Sequence, residues 1–181
     1  MKNAIVLLLL LVASTGIQAQ NFRGNRYYDR KGLNLRVGPE IGFAAGDFNE
    51  THGTGTGATA LLDIPVLPRL SVIAHTGFVS FSGDVVSGAS SVKYRRTHVF
   101  PIRTGINYKL TPAWYAGVQA GHASVRHLGV SRGGFSQSLG LGYFRNRLDL
   151  AARWDHQYVH GGLSSINLKA AYVLRFGSNR R

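Results

Sequence analysis

The 181-residue chain contains no cysteine. It therefore has no disulfide framework to brace it and no thiolate to hold a metal. Acidic residues are scarce: 8 Asp and Glu stand against 21 Lys and Arg, a formal net charge of +13 and a pI near 10.8. Charged residues of both signs make up only 16% of the chain, against about 25% in an ordinary soluble domain. Beyond the N-terminus no stretch reaches the roughly 20 consecutive apolar residues that a membrane-spanning helix needs. Helical periodicity is missing as well. The length suffices for one domain with a full core and hardly for two. The basic excess favours an acidic partner, such as nucleic acid or anionic lipid, without choosing between them.

What is present begins with an export signal. "MKNAIVLLLLLVASTGIQAQ" has Lys2, an apolar run from Ala4 to Val12, then small and polar residues. The run is too short to span a bilayer and reads as a secretory signal peptide over residues 1–19, cut after Ala19. Removing Lys2 leaves a mature charge of +12, one less than +13. Export takes the chain away from nucleic acid, so none is expected as a partner. Residues 20–31, "QNFRGNRYYDRK", form a short basic segment without a clear period.

From residue 32 to 176 the pattern is alternation with period two. In "RLDLAARWDH" (Arg147 to His156), Leu148, Leu150, Ala152 and Trp154 share one face, while Arg147, Asp149, Arg153 and Asp155 share the other. The same division recurs. Leu33, Leu35, Val37, Ile41 and Phe43 oppose Arg36 and Glu40. Ala58, Ala60, Leu62 and Ile64 oppose Thr59 and Asp63. Ile102, Ile106 and Tyr108 oppose Arg103, Asn107 and Lys109 in a strand expected from about Val92 to Leu110, with a missing ladder bond at Pro101. Trp114, Ala116, Val118 and Ala120 oppose Gln119, and Leu139, Leu141 and Tyr143 oppose serines and glycines. Ile166, Leu168, Ala170, Tyr172, Leu174 and Phe176 oppose Asn167, Lys169 and Arg175. The stretch from Leu70 to Phe81 is apolar on both faces, so its register stays open. Short turns ("VLPR", "LTPA", Arg145-Asn146) alternate with longer connections: "GDFNETHGTG", "SGDVVSGASS", "VRHLGVSRGG" and "VHGGLS". About eight such strands predict an all-β fold, an eight-stranded antiparallel up-and-down barrel, with residues 177–181 as a tail.

Alternation alone does not say which face meets water. A soluble secreted barrel would be apolar inside. A transmembrane β-barrel is the reverse, and three features favour it. Arg36, Glu40, Asp63, Arg103, Asp149, Arg153, Asp155, Lys169 and Arg175 put both signs on the same faces, as a polar network inside a narrow barrel requires, because a lone buried charge is costly. Aromatic residues fall near strand ends on the apolar face. Tyr108, Trp114, Tyr143, Tyr172 and Phe176 lie toward the turns, and Phe43, Phe78 and Trp154 toward the loops, as two membrane-interface girdles would. The polar face is also rich in glycine, which leaves room in a small interior.

"GLNLRVGPEIGF", "HVFPIRTGINYKLTPAWYAGVQAG" and "INLKAAYVLRF" together resemble the small porin-like outer-membrane β-barrels of the OmpA/OmpX-like superfamily of Gram-negative bacteria. The likeness runs from about Gly32 to Phe176. It implies a cell outer membrane location, outer-membrane lipids as surroundings and the barrel-assembly machinery as a partner during insertion. Tyr172 and Phe176 match the aromatic-ended signal that this machinery reads, although Gly177 to Arg181 follow it here. The family scaffold hosts adhesins, stability proteins and enzymes, so it implies no single activity.

Chemistry-bearing residues are few. His122 and Ser124 share a strand face and resemble the His-x-Ser of outer-membrane lipid A deacylases. Val125 stands where that pattern has asparagine, and no carboxylate follows in the next strand to orient the histidine. His52, His127 and His160 lie in three connections without ligand spacing. "GTGTG" (Gly53 to Gly57) lacks the Gly-Lys-Ser/Thr of a phosphate loop. Arg95, Arg96, Arg126 and Arg132 at the loop ends suit lipopolysaccharide phosphates. The expectation is a monomeric, non-catalytic barrel without cofactor or metal, in a structural or surface-interaction role. The alternatives are a narrow porin-like channel for small solutes and a lipid hydrolase.

Overall fold

A period of two commits a segment to the strand conformation, because only there do alternate side chains share a face. The computed structural model describes residues 32–86, 92–93, 95–159 and 162–176. The expected signal peptide (1–19), the basic segment (20–31) and the tail (177–181) lie outside the described residues. In chain order the strands are β1 (Leu33–Ala45), β2 (His52–Pro65), β3 (Leu70–Gly83), β4 (Val85–Val86), β5 (Val92–Lys93), β6 (Thr97–Lys109), β7 (Trp114–His127), β8 (Val130–Arg145), β9 (Leu148–Tyr158) and β10 (Leu163–Phe176). A 3₁₀ turn, Gly46–Glu50, follows β1. The eight long strands close into a barrel in the order β1-β10-β9-β8-β7-β6-β3-β2, and β4 pairs with β5 in a separate ribbon. Every barrel pair is antiparallel. Closure leaves no sheet edge along the barrel wall, which is the condition for crossing a bilayer with strands.

One end carries tight connections. At β6–β7, Thr111 Oγ1 accepts the Trp114 amide at 2.9 Å. At β8–β9, Asn146 takes a left-handed φ of 58°. The start of β1 and the end of β10 pair there, Leu33 opposite Phe176. The other end carries the 3₁₀ turn and the ribbon.

Two expectations need correction at the loop end. Residues 125–134 are not a long loop. β7 runs on to His127 and β8 starts at Val130. Leu128 (φ 53°) and Gly129 (φ 79°) join them, and two successive positive φ values make a two-residue hairpin turn. The stretch looks polar because the hairpin outruns the wall. β8 pairs with β9 only from Phe135, opposite Tyr158, so Val130 to Gly134 pair with β7 alone. The strand expected from Val92 starts instead at Thr97, and Val92–Lys93 belongs to the ribbon.

The expected break at Pro101 is present. The β3–β6 ladder skips the rungs between Thr76–Ile102 and Val79–Val99. Pro39 marks a similar gap in the β1–β10 ladder, between Val37–Tyr172 and Glu40–Lys169. A proline has no N–H to give a ladder, so each sits where a rung is absent.

The faces sort by chemistry. The outward row includes Ile102 (69% exposed), Leu139 (60%) and Trp114 (50%), while Asp149 is fully buried. A continuous apolar outer wall around a charged core is the inverse of a water-soluble barrel and matches a lipid surround.

Candidate functional site

The interior is built from the alternate residues of all eight barrel strands. In its turn-side half, Asp149 of β9 is the hub. Lys169 Nζ forms an ion pair with its Oδ2 at 2.7 Å. Tyr115 OH donates to Oδ1 at 2.7 Å, and Arg36 Nη1 lies 3.3 Å from Oδ1. Arg36 also donates to Asp63. One level toward the loops, Arg153 Nη2 donates to Glu40 Oε1 at 2.5 Å, and Arg103 Nη2 to Asp155 Oδ2 at 2.8 Å. Arg153 Nη1 lies 3.1 Å from His75 Nε2, which Thr59 Oγ1 also approaches at 2.7 Å. A ring nitrogen facing a guanidinium presents its lone pair, so His75 serves as an acceptor here.

Eight of the nine residues expected in the polar network are buried together: Arg36, Glu40, Asp63, Arg103, Asp149, Arg153, Asp155 and Lys169. They comprise four cations and four anions, so this set is neutral and the chain's excess of +13 lies outside it. Neutral pairing is what makes such a core tenable, since each charge removed from water costs several kcal/mol by rough reckoning unless matched. Arg175 is the exception. It is exposed at the turn end, donates to the Asn146 carbonyl and lies 5.7 Å from the Phe144 ring. Arg36 stands 5.6 Å from the same ring, so Phe144 separates Arg175 from the network. By alternation Arg175 belongs to the inner row, but β10 there has run past the enclosed part of the barrel.

Glycines make the room. Tyr115 pairs with Gly142, and a Cβ at Gly142 would lie 2.1 Å from the Tyr115 ring. Arg153 pairs with Gly140, where a Cβ would meet its Cγ at 2.7 Å. Long inner side chains lie across bare backbone on the next strand, which is how an eight-stranded barrel accommodates them. Two interior voids next to the network measure only about 10 Å³ each.

The loop-side half is different. Phe48, Val79, Phe81, Val99, Ala123, Val125 and Val159 form an apolar cluster, with Ala44 and Leu163 against it. Phe48 drops in from the 3₁₀ turn and meets Phe81 edge-on at 5.1 Å. Sequence reasoning missed this plug, because the ambiguous strand, β3, supplies Val79 and Phe81. It also missed Tyr115, although alternation with Trp114 and Ala116 places Tyr115 inside.

All eight expected interface aromatics lie on the outward face. Phe43, Phe78, Trp114, Trp154, Tyr172 and Phe176 are exposed, and Tyr108 and Tyr143 half-buried. At the turn end Trp114 and Tyr143 meet at 5.2 Å, and Arg147 Nη1 donates to Tyr172 OH at 2.7 Å. The loop-end belt is wider than expected. Phe100 stacks on Phe78 at 5.5 Å, and His156 links Trp154 (5.8 Å) to Tyr158 (4.5 Å).

His122 and Ser124 sit on the outer face of β7, and Ser124 Oγ hydrogen-bonds Ser131 Oγ at 2.9 Å. The strand carboxylates Glu40, Asp63, Asp149 and Asp155 are all buried inside, on the other side of the wall. No third group meets this pair among the described residues.

Above the plug lies a cleft of about 450 Å³ beneath the projecting β7–β8 hairpin. His52 and His127 both reach Thr97 Oγ1 there, at 2.7 and 2.8 Å. His160 lies outside the described residues. Thr51 Oγ1 and His52 Nδ1 are 2.8 Å apart. His52 lies beyond the loop-end belt. Burial, with His127 beside it, draws its imidazole below the ordinary range, against an upward pull from the Arg95 carbonyl and Asp84.

No protein-family model matches this chain, and no curated protein is similar to it in sequence. Solved structures do match. The N-terminal β-barrel domain of Pseudomonas aeruginosa OprF is similar with a TM-score of 0.57 at 14% identity, over 78% of this chain and 97% of that one. Ail, the attachment invasion locus protein of Yersinia pestis, matches at 0.54 and 13%, over 80% and 100%. Neisserial surface protein A matches at 0.50 and 15%, over 80% and 97%. The lipid-suited wall, the neutral ionic core and these likenesses agree: the chain has the fold of the small eight-stranded outer-membrane β-barrels.

Proposed function

We propose that this protein is a non-catalytic integral barrel of the cell outer membrane, with a filled interior and a role at the membrane surface. The observation that carries the reading is the neutral set of four cations and four anions in the barrel interior. Its flanking voids of about 10 Å³ have room for roughly one water each. A wide solute path is hard to reconcile with that packing. The basic residues outside, notably Arg95, Arg96, Arg126 and Arg132 at the loop end, suit lipopolysaccharide phosphates. Insertion by the barrel-assembly machinery, a monomeric state and export through a cleaved signal peptide belong to the same reading. Among the described residues no carboxylate stands beside His122 and Ser124 to support the hydrolase alternative.

Planar-bilayer recording tests the central point. The purified protein should give no sustained conductance, and a stable open level of porin size would replace this reading with the narrow channel. Cell fractionation with a denaturing gel tests the location. The expected result is an outer-membrane band whose mobility changes on boiling; a soluble periplasmic band without a shift would invert the faces.

A further inference from the structure

We infer that the loop-end cleft binds a single-chain anionic amphiphile, a fatty acid as its carboxylate, with the alkyl chain against Phe48, Val125, Val130, Val159 and Leu163 and the head at Arg132. The inference goes beyond the surface role above and holds whether or not the barrel conducts.

The cleft, about 450 Å³, falls in the range of small-ligand sites, roughly 300–1,000 Å³. Its wall is mainly apolar, with a few polar groups set together. Most of those groups are already engaged: Thr97 serves both His52 and His127, and Thr51 meets His52. Arg132 is different. Alternation places it on the inner face of β8, at the cleft rim. It is exposed and takes part in no ion pair among the described residues. A guanidinium beside an apolar slot matches a ligand that is apolar along its length and anionic at one end, because its fork pairs with a carboxylate in two parallel hydrogen bonds. Asp47, Glu50 and Asp84 also lie at this end, but none lines the cleft.

The shape argues for a chain rather than a compact molecule. Among the described residues Val130 to Gly134 have no β9 partner, so no described strand continues the sheet on that side of the cleft. A slender ligand can lie there with its head at the rim. Below it, the plug of Phe48, Phe81 and Val99 closes the floor. The bound molecule is held at the mouth, not passed through.

The test uses the full barrel in nanodiscs of zwitterionic phosphatidylcholine, with decanoate as probe and methyl NMR as readout. Saturable shifts confined to Val125, Val130 and Leu163 are expected. Arg132→Gln should weaken binding about tenfold, the scale of one charge-assisted pair. Decanol and decyltrimethylammonium should each bind weaker by a similar factor. Leu163→Trp should block the cleft. If that variant loses its boiling-dependent gel shift, Val130→Trp on the projecting hairpin replaces it. Linear shifts spread over the outward-facing methyls would mean partition into lipid and overturn the inference. So would decanoate affinity unchanged in Arg132→Gln, or decanol binding as tightly as decanoate.

Discussion

The two halves of the barrel interior solve the same problem by opposite means. The turn-side half fills its space with long charged side chains pinned to one another, centred on Asp149 and Arg153. The loop-side half fills it with Phe48, Phe81, Val79, Val99 and Val159, which ask nothing of their neighbours beyond contact. A charged filling is directional: each group needs a partner of the other sign at a set distance, and losing one strands the rest. An apolar filling is forgiving in identity and costly only in volume. The charged layer ties side chains of β1, β2, β6, β9 and β10 together across the interior, and the apolar plug lies above it toward the mouth.

The largest effect is expected at Asp149. Asp149→Ala leaves Arg36 and Lys169 facing each other without their shared anion, and should cost about 3–5 kcal/mol. Urea unfolding from lipid vesicles measures it, and a loss below about 1 kcal/mol would mean that solvent already shields the layer. Replacing Arg103 and Asp155 together by Met and Leu should cost much less than Asp155→Leu alone, since a removed pair leaves fewer orphans. In the other half, Phe81→Ala should cost about 3 kcal/mol through the cavity it opens. Its effect should not change when Asp149 is also replaced, because distant sites add.

Gly142→Ala comes next, at about 1–3 kcal/mol, because its methyl enters the space of the Tyr115 ring. Tyr115→Ser in the same chain should relieve most of that, and a cycle showing no coupling would refute the fit. Arg175→Ala should be the smallest, within about 0.5 kcal/mol, as an exposed group outside the network.

The sequence made the barrel legible because the period-two pattern is nearly unbroken from Leu33 to Phe176, and because both signs of charge recur on one face. Four acids and four bases of the network follow from that alone. Arg175 escaped because alternation gives a direction but not a depth, and β10 there lies beyond the enclosed interior. The plug escaped because β3 is apolar on both faces, so Val79 and Phe81 had no polar row opposite them to fix the register. The projecting hairpin escaped because glycines and serines on an exposed outer face look like a loop. The turn itself is Leu128-Gly129, and a leucine gives no sign of the left-handed backbone it adopts there. The cleft was invisible for a different reason: it joins the 3₁₀ turn, β2, β6, β7, β8 and β10, and no linear spacing relates them.

The pairing of long inner side chains with bare backbone constrains how this protein can change over time. Tyr115 and Gly142, or Arg153 and Gly140, are two halves of one volume on adjacent strands. Neither half can grow unless the other shrinks. Descendants of one ancestral barrel would therefore diverge by coupled exchanges across the ladder. Position-by-position likeness would fade while the sum of each pair stayed fixed.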